Sequence, residues 1–143
     1  LVEVAIAAFV LAFGIAMSIV TIQAGYRTMD DARNLTIASQ VLQSELERLR
    51  LLPWSSDTGG DSISAMPTSE AVDLTDSFTS NPQIAARFTL VRAVSETVGR
   101  ETTMRDITLT VTWVGFYGVS HSRTFTTRYC KDGLYDYYYT IAS

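Results

Sequence analysis

The chain has 143 residues, enough for one ordinary domain and too few for two comfortable ones. Its net charge is −4 and Lys131 is its single lysine, which argues against nucleic acid as an electrostatic partner. Cys130 is the only cysteine, so an intrachain disulfide and a four-cysteine metal site are both excluded.

The hydrophobic content of 47% is ordinary, but it is unevenly placed. From Val4 to Ile22 every residue is uncharged and nearly all are apolar. As a helix this run measures about 28 Å, close to a bilayer core of ~30 Å. A secretory signal would begin with basic residues and end in a small-residue cleavage site. Here Glu3 stands at the edge of the run, and the helical pattern continues past it. A buried core helix rarely has so long an uninterrupted apolar stretch, so a membrane-spanning helix fits best. Glu3 has no cationic partner until Arg27, about seven turns further along. A buried carboxylate needs a partner, and for Glu3 it must come from elsewhere.

After Ile22 the pattern becomes amphipathic. Leu35, Ala38, Leu42, Leu46 (or Glu45 beside it), Leu49 and Leu52 recur at spacings of three and four. Asp30, Asp31, Arg33, Asn34, Gln40, Gln43, Glu47 and Arg50 mostly fill the other faces. No proline interrupts residues 1–52, and Pro53 stops the pattern. The reading is one helix of roughly 50 residues, near 75–78 Å long. Its first half must be covered by lipid or by copies of itself.

A glutamate embedded as L-V-E-V, followed by about twenty apolar residues that grade into an amphipathic helix, resembles the type IV pilins and pseudopilins. The resemblance covers residues 1 to about 50. It implies a basic leader removed by a prepilin peptidase, an N-methylated mature terminus, and two mature residues upstream of Leu1. It also implies that Glu3 pairs with the N-terminal ammonium of a neighbouring subunit, so that subunit stagger is specified. The implied assembly surface runs through Glu3, Val4, Phe9, Leu11, Phe13, Ile15 and Val20. Many pilins carry a proline near the twentieth position of this helix, where this chain has Val20. Gly14 and Gly25 are where stretching or a bend is expected, with close helix–helix packing at those glycines as the alternative.

Residues 53–83 form a connecting segment rich in Ser, Thr, Asp and Gly. Asp57 and Asp61 flank Gly59 and Gly60 and make a calcium candidate, although a solvated turn fits two carboxylates better. Residues 84–143 read as a sheet and a tail. The strand at Arg87–Val98 slips phase near Val91, which suggests a bulge or a twist. The next, Asp106–Phe116, alternates cleanly: Ile107, Leu109, Val111 and Trp113 are expected on the long helix, and Thr108, Thr110 and Thr112 on the other face. Gly115 and Gly118 bracket a turn into a third strand, Val119–Tyr129, with Phe125 and Tyr129 at even spacing. This hairpin also resembles, more loosely, that of minor pilins and pseudopilins. Cys130 reads as a small buried apolar residue, with an intermolecular disulfide as the sharper alternative. The tail carries Tyr135, Tyr137, Tyr138 and Tyr139, either a subunit-bridging surface or a final edge strand. Asn34-Leu35-Thr36 matches a glycosylation sequon inside the helix, and His121, the only histidine, reads as a lone surface residue.

No phosphate loop, metal spacing or Ser/His/Asp grouping stands out, so an enzyme is the poorest reading and no cofactor is expected. The expected fold is α+β, with the C-terminal half of a long N-terminal helix packed on a small antiparallel sheet. Residues 1–25 form the apolar half-helix and 26–52 the amphipathic half. The expected function is that of a structural subunit, the major pilin of a type IV pilus-like filament, with identical subunits, the cytoplasmic membrane and pilus assembly machinery as partners. It would lie in the inner membrane before assembly and in an extracellular filament afterwards. A minor pilin or pseudopilin of a type II secretion system, and a monomeric membrane-anchored binding module, are the alternatives.

Overall fold

The computed structural model describes residues 1–55, 61–115 and 117–133. Helix α1 runs unbroken from Val2 to Arg50, about 74 Å at ~1.5 Å per residue. Its last turn tightens, with the Leu51 and Leu52 amides donating to Arg48 and Leu49, and Pro53 follows. The connecting segment then supplies a short 3₁₀ turn (Ile63–Ala65), strand β1 (Ser69–Val72) and two single-turn helices, α2 (Leu74–Ser77) and α3 (Pro82–Ala85). Asp73 and Asn81 cap these helices by accepting from the Thr75 and Gln83 amides. Strands β2 (Phe88–Glu96), β3 (Met104–Val114) and β4 (Ser120–Cys130) complete one antiparallel sheet in the order β1-β2-β3-β4.

The chain is therefore α+β, with the helix packed on the sheet as the sequence pattern requires. Ile107, Leu109, Val111 and Trp113 are all buried. They meet Ala38, Val41, Leu42 and Leu49 of α1, together with Phe88, Leu90 and Val94 of β2. Trp54, Ile63 and Leu74 of the connecting segment close the same core. At the distal end the Tyr129 hydroxyl donates to the Leu52 carbonyl at 2.7 Å, and its ring stacks on Trp54. The threonines of β3 face the other way, and Thr108 and Thr110 pair across to Thr126 and Thr124 at 3.2 Å.

Three expectations are corrected. The sheet has a strand, β1, inside the segment read as a connecting loop; it pairs Ser69–Val72 with Leu90–Ala93. Only Val72 of its four residues is even partly buried, so it carries no alternation to read. Strand β2 has no bulge, since its pairing with β3 runs without interruption from Phe88↔Trp113 to Glu96↔Arg105. What resembled a phase slip is Arg92 pointing inward in step with Phe88, Leu90 and Val94. On α1 the buried stripe is Asn34, Ala38, Val41, Leu42, Glu45 and Leu49, while Leu35 is 40% exposed and Leu46 and Leu52 lie at the rim. Two polar residues occupy the stripe because Arg92 of β2 meets Glu45 and Arg87, just before β2, meets Asn34.

The two glycines of the hairpin turn serve different ends, Gly118 its backbone and Gly115 the seat of His121. Gly118 has φ +73, in the left-handed region that side chains rarely adopt. At Gly115 a Cβ would stand 2.8 Å from His121 Nε2, because that ring lies over the glycine while stacked on Trp113.

Candidate functional site

Among the described residues nothing covers the first half of α1. An 18-residue window of mean hydropathy 2.5 is wholly unburied, and the helix is long and apolar enough to cross a membrane. Val4, Leu11 and Ile15, at steps of seven and four, share one face. Phe9, Phe13 and Val20, at steps of four and seven, share the opposite face. All six side chains are more than half exposed, so both faces lack cover. The apolar surface surrounds the helix, unlike the single stripe of a helix resting on a domain.

Glu3 lies in the first helical turn, where a negative charge meets the unsatisfied amides of the helix start. Ala7, Gly14, Ser18, Thr21 and Gly25 follow it at steps of three, four and seven, forming a stripe of small residues headed by the carboxylate. A Cβ added at Gly14 or Gly25 would meet no other side chain or element within 4 Å among the described residues, so the stripe is open to a neighbouring backbone. The helix continues through both glycines. Ser18 Oγ donates to the Gly14 carbonyl and Thr21 Oγ1 to the Met17 carbonyl, each at 2.9 Å. These hydroxyls are satisfied within the helix, which lowers the cost of placing them in an apolar medium.

A second polar cluster, which the sequence reading missed, joins α1 to the sheet. Glu45 is 1% exposed and accepts from Arg48 Nε at 2.8 Å, Arg48 Nη2 at 2.9 Å and Arg92 Nη1 at 2.8 Å. Arg92 also donates through Nη2 to Glu70 of β1, while its buried Nε has no hydrogen-bond partner. The bond to Glu45 holds the Arg48 guanidinium above its usual pKa. Asn34 makes a parallel bridge nearer the apolar half: its Oδ1 accepts from Arg87 and its Nδ2 donates to Asp30. Both clusters set the angle and height of the sheet on the helix. The signal for them was an arginine in the inward phase of β2 and a glutamate in the helix stripe.

The remaining expectations fall as follows. Asp57 lies outside the described residues, and Asp61 is exposed, 4.0 Å from Arg48 Nη1. Among the described residues no three His, Cys, Asp or Glu side chains gather as a metal site. The tyrosine-rich tail from Tyr135 to Tyr139 also lies outside the described residues. Asn34 of the sequon is buried and hydrogen-bonded. His121 is half-buried against Trp113, with ring centres 5.6 Å apart, and Cys130 is half-buried at the end of β4.

No protein-family model, curated protein or solved structure matches this chain.

Proposed function

We propose that this chain is the structural subunit, the major pilin, of a type IV pilus-like filament assembled through its apolar half-helix. The observation that carries the reading is the uncovered apolar surface on all sides of residues 2–25, with Glu3 at its head. Before assembly this half-helix anchors the subunit in the inner membrane. In an extracellular filament the same surface packs against identical helices. Each Leu, Ile, Val or Phe moved from water into such a core contributes about 1.5–3 kcal/mol, so exposure to water is the least favourable of the three states. The membrane and the filament core offer similar apolar surroundings, and transfer between them costs little by comparison.

Glu3 decides the register. Its carboxylate is costly in an apolar bundle unless a cation faces it, and a neighbour's terminal ammonium at the right height meets that need. Registers that leave it unpaired lose several kcal/mol. The pair selects one stagger more than it adds stability. As the resemblance implies, extraction from the membrane falls to an assembly ATPase and platform protein.

The test is electron microscopy of material sheared from cells, with mass spectrometry of the chain's N-terminal peptide and the same preparation from a Glu3→Ala strain. Long filaments built from this chain, with a methylated terminus and loss of assembly in the variant, support the proposal. Filaments in which the chain is a rare component point to the minor pilin or pseudopilin reading. A chain found only in membranes, with Glu3→Ala harmless, leaves an anchored binding module.

A further inference from the structure

The β3–β4 turn carries an apolar and aromatic patch that the core does not use. Val114, Tyr117 and Val119 are each more than half exposed, three such side chains within six positions. Tyr26, on the adjoining part of α1, is 70% exposed. A cluster of this kind marks an interaction surface more than scattered exposure does.

Its height along the helix is fixed by one contact. The Arg27 guanidinium carbon lies 4.6 Å from the centre of the Tyr117 ring. Arg27 is the first charged residue after Glu3 and stands five positions beyond Ile22, about 7.5 Å along the axis. Helical side chains lean toward the N-terminus, so the ring beneath Arg27 lies at or below that level, toward the apolar half. Headgroup layers extend a bilayer core of ~30 Å to about 40–45 Å, or roughly 5–8 Å on each side. With Val4–Ile22 in the hydrocarbon, the turn falls within the headgroup layer, where tyrosine is enriched.

Charge points the same way. From Ile107 to Thr127 there is no Asp or Glu, while His121 and Arg123 lie there, in a chain of net charge −4. Asp30 and Asp31 of α1 lie about one turn further from the apolar half, and Asp30 is engaged by Asn34 and stands 4.0 Å from Arg87. From Ile107 to Thr127 the hairpin thus presents no acidic group for an anionic lipid surface to repel, and Asp73, which follows β1 at the same end of the sheet, lies two strands away from β3.

We infer that the β3–β4 turn is a second membrane contact: Val114, Tyr117 and Val119 rest in the headgroup layer of an anionic bilayer, with Tyr26 of α1 at a similar height along the helix. This fixes how the sheet is oriented over the membrane while α1 anchors the chain, and it rests on the anchored state proposed above. Release into a filament must then break two contacts, the helix in the hydrocarbon and the turn at the surface.

The test uses the full chain in vesicles of phosphatidylethanolamine and phosphatidylglycerol. A Cys130→Ser background carries one environment-sensitive fluorophore on Leu11→Cys, Val119→Cys or Ser95→Cys, the last on the exposed distal end of β2. The expected result is a graded response to a water-soluble quencher, with position 11 shielded, position 119 quenched several-fold more slowly than position 95, and position 95 fully accessible. A blue shift at 119 that shrinks when the anionic lipid is replaced by phosphatidylcholine supports the charge argument. If 119 behaves as 95 while 11 remains shielded, the inference is overturned and the anchor survives. Shielding of 119 only in assembled filaments also overturns it, and gives the patch to a second subunit. If position 11 is itself open to the quencher, the anchored state fails and the surface contact fails with it.

Discussion

Replacing Glu45 by leucine should destabilise the folded chain more than replacing Arg92 by methionine, although the two side chains form one ion pair. Glu45→Leu deprives Arg92, whose side chain is 7% exposed, of its only fully buried counter-charge. Glu70 remains, but it is 47% exposed and meets Arg92 through a single guanidinium nitrogen. Breaking a buried pair from one side costs about 3–5 kcal/mol. Arg92→Met leaves Glu45 with both bonds from Arg48, at 2.8 and 2.9 Å, and removes a guanidinium whose Nε has no partner. The loss there is one charge-assisted bond, about 1–3 kcal/mol. In the double variant Glu45→Leu/Arg92→Met neither buried charge survives, and Arg48 and Glu70 are exposed enough to turn to water. Its stability should fall within about 1 kcal/mol of the parent or exceed it. Guanidinium unfolding of the full chain in detergent, followed by the fluorescence of Trp54 and Trp113, reads all four proteins. Both tryptophans lie in the core between helix and sheet. Additive losses, or a costlier Arg92→Met, would refute the view that a desolvated pair joins α1 to β2.

Other outcomes can be checked on the same footing. Asn34→Ala should cost about 1–3 kcal/mol by leaving Arg87 and Asp30 without their bridge, whereas Leu35→Ala, at a partly exposed site, should cost less than about 1 kcal/mol in the same unfolding assay. Gly115→Ala should displace His121 from Trp113 at a cost of about 1–3 kcal/mol, and adding His121→Ala should recover part of it; imidazole shifts by NMR report the displacement. The Arg128 hydrogen bond holds the Asp106 carboxyl below the usual aspartate range, with Thr97 adding a second donor. Its contribution is therefore complete above the ordinary aspartate pKa and is lost as pH falls through the lower folded value. Unfolding midpoints of Asp106→Asn should be lower than the parent's near neutrality and converge with them in acid.

Much of the fold was legible because it rests on local periodicity. The absence of proline before Pro53 and the change from apolar to amphipathic character were sufficient to mark one long helix. Strict alternation marked β3, and two glycines marked its turn. The site was legible in part. The apolar run and the isolated Glu3 were plain in the sequence, and the structure adds that both faces of the run lack cover and that Glu3 heads a stripe of small residues. The errors came where a polar residue points inward. Arg92 was mistaken for a break in phase, and Asn34 was assigned to the outer faces of the helix.

The sequence by itself determined the length of α1, the point where its apolar half ends and the inward face of β3, because each depends on neighbours within one or two turns or pairs. Only the tertiary structure decided which stripe of α1 faces the sheet, that Ser69–Val72 forms a strand, and that Glu45 and Arg92 meet. Those partners lie 47 positions apart. Burying either charge is unfavourable alone and acceptable only once the other is in place, so no reading of one segment at a time could have predicted it.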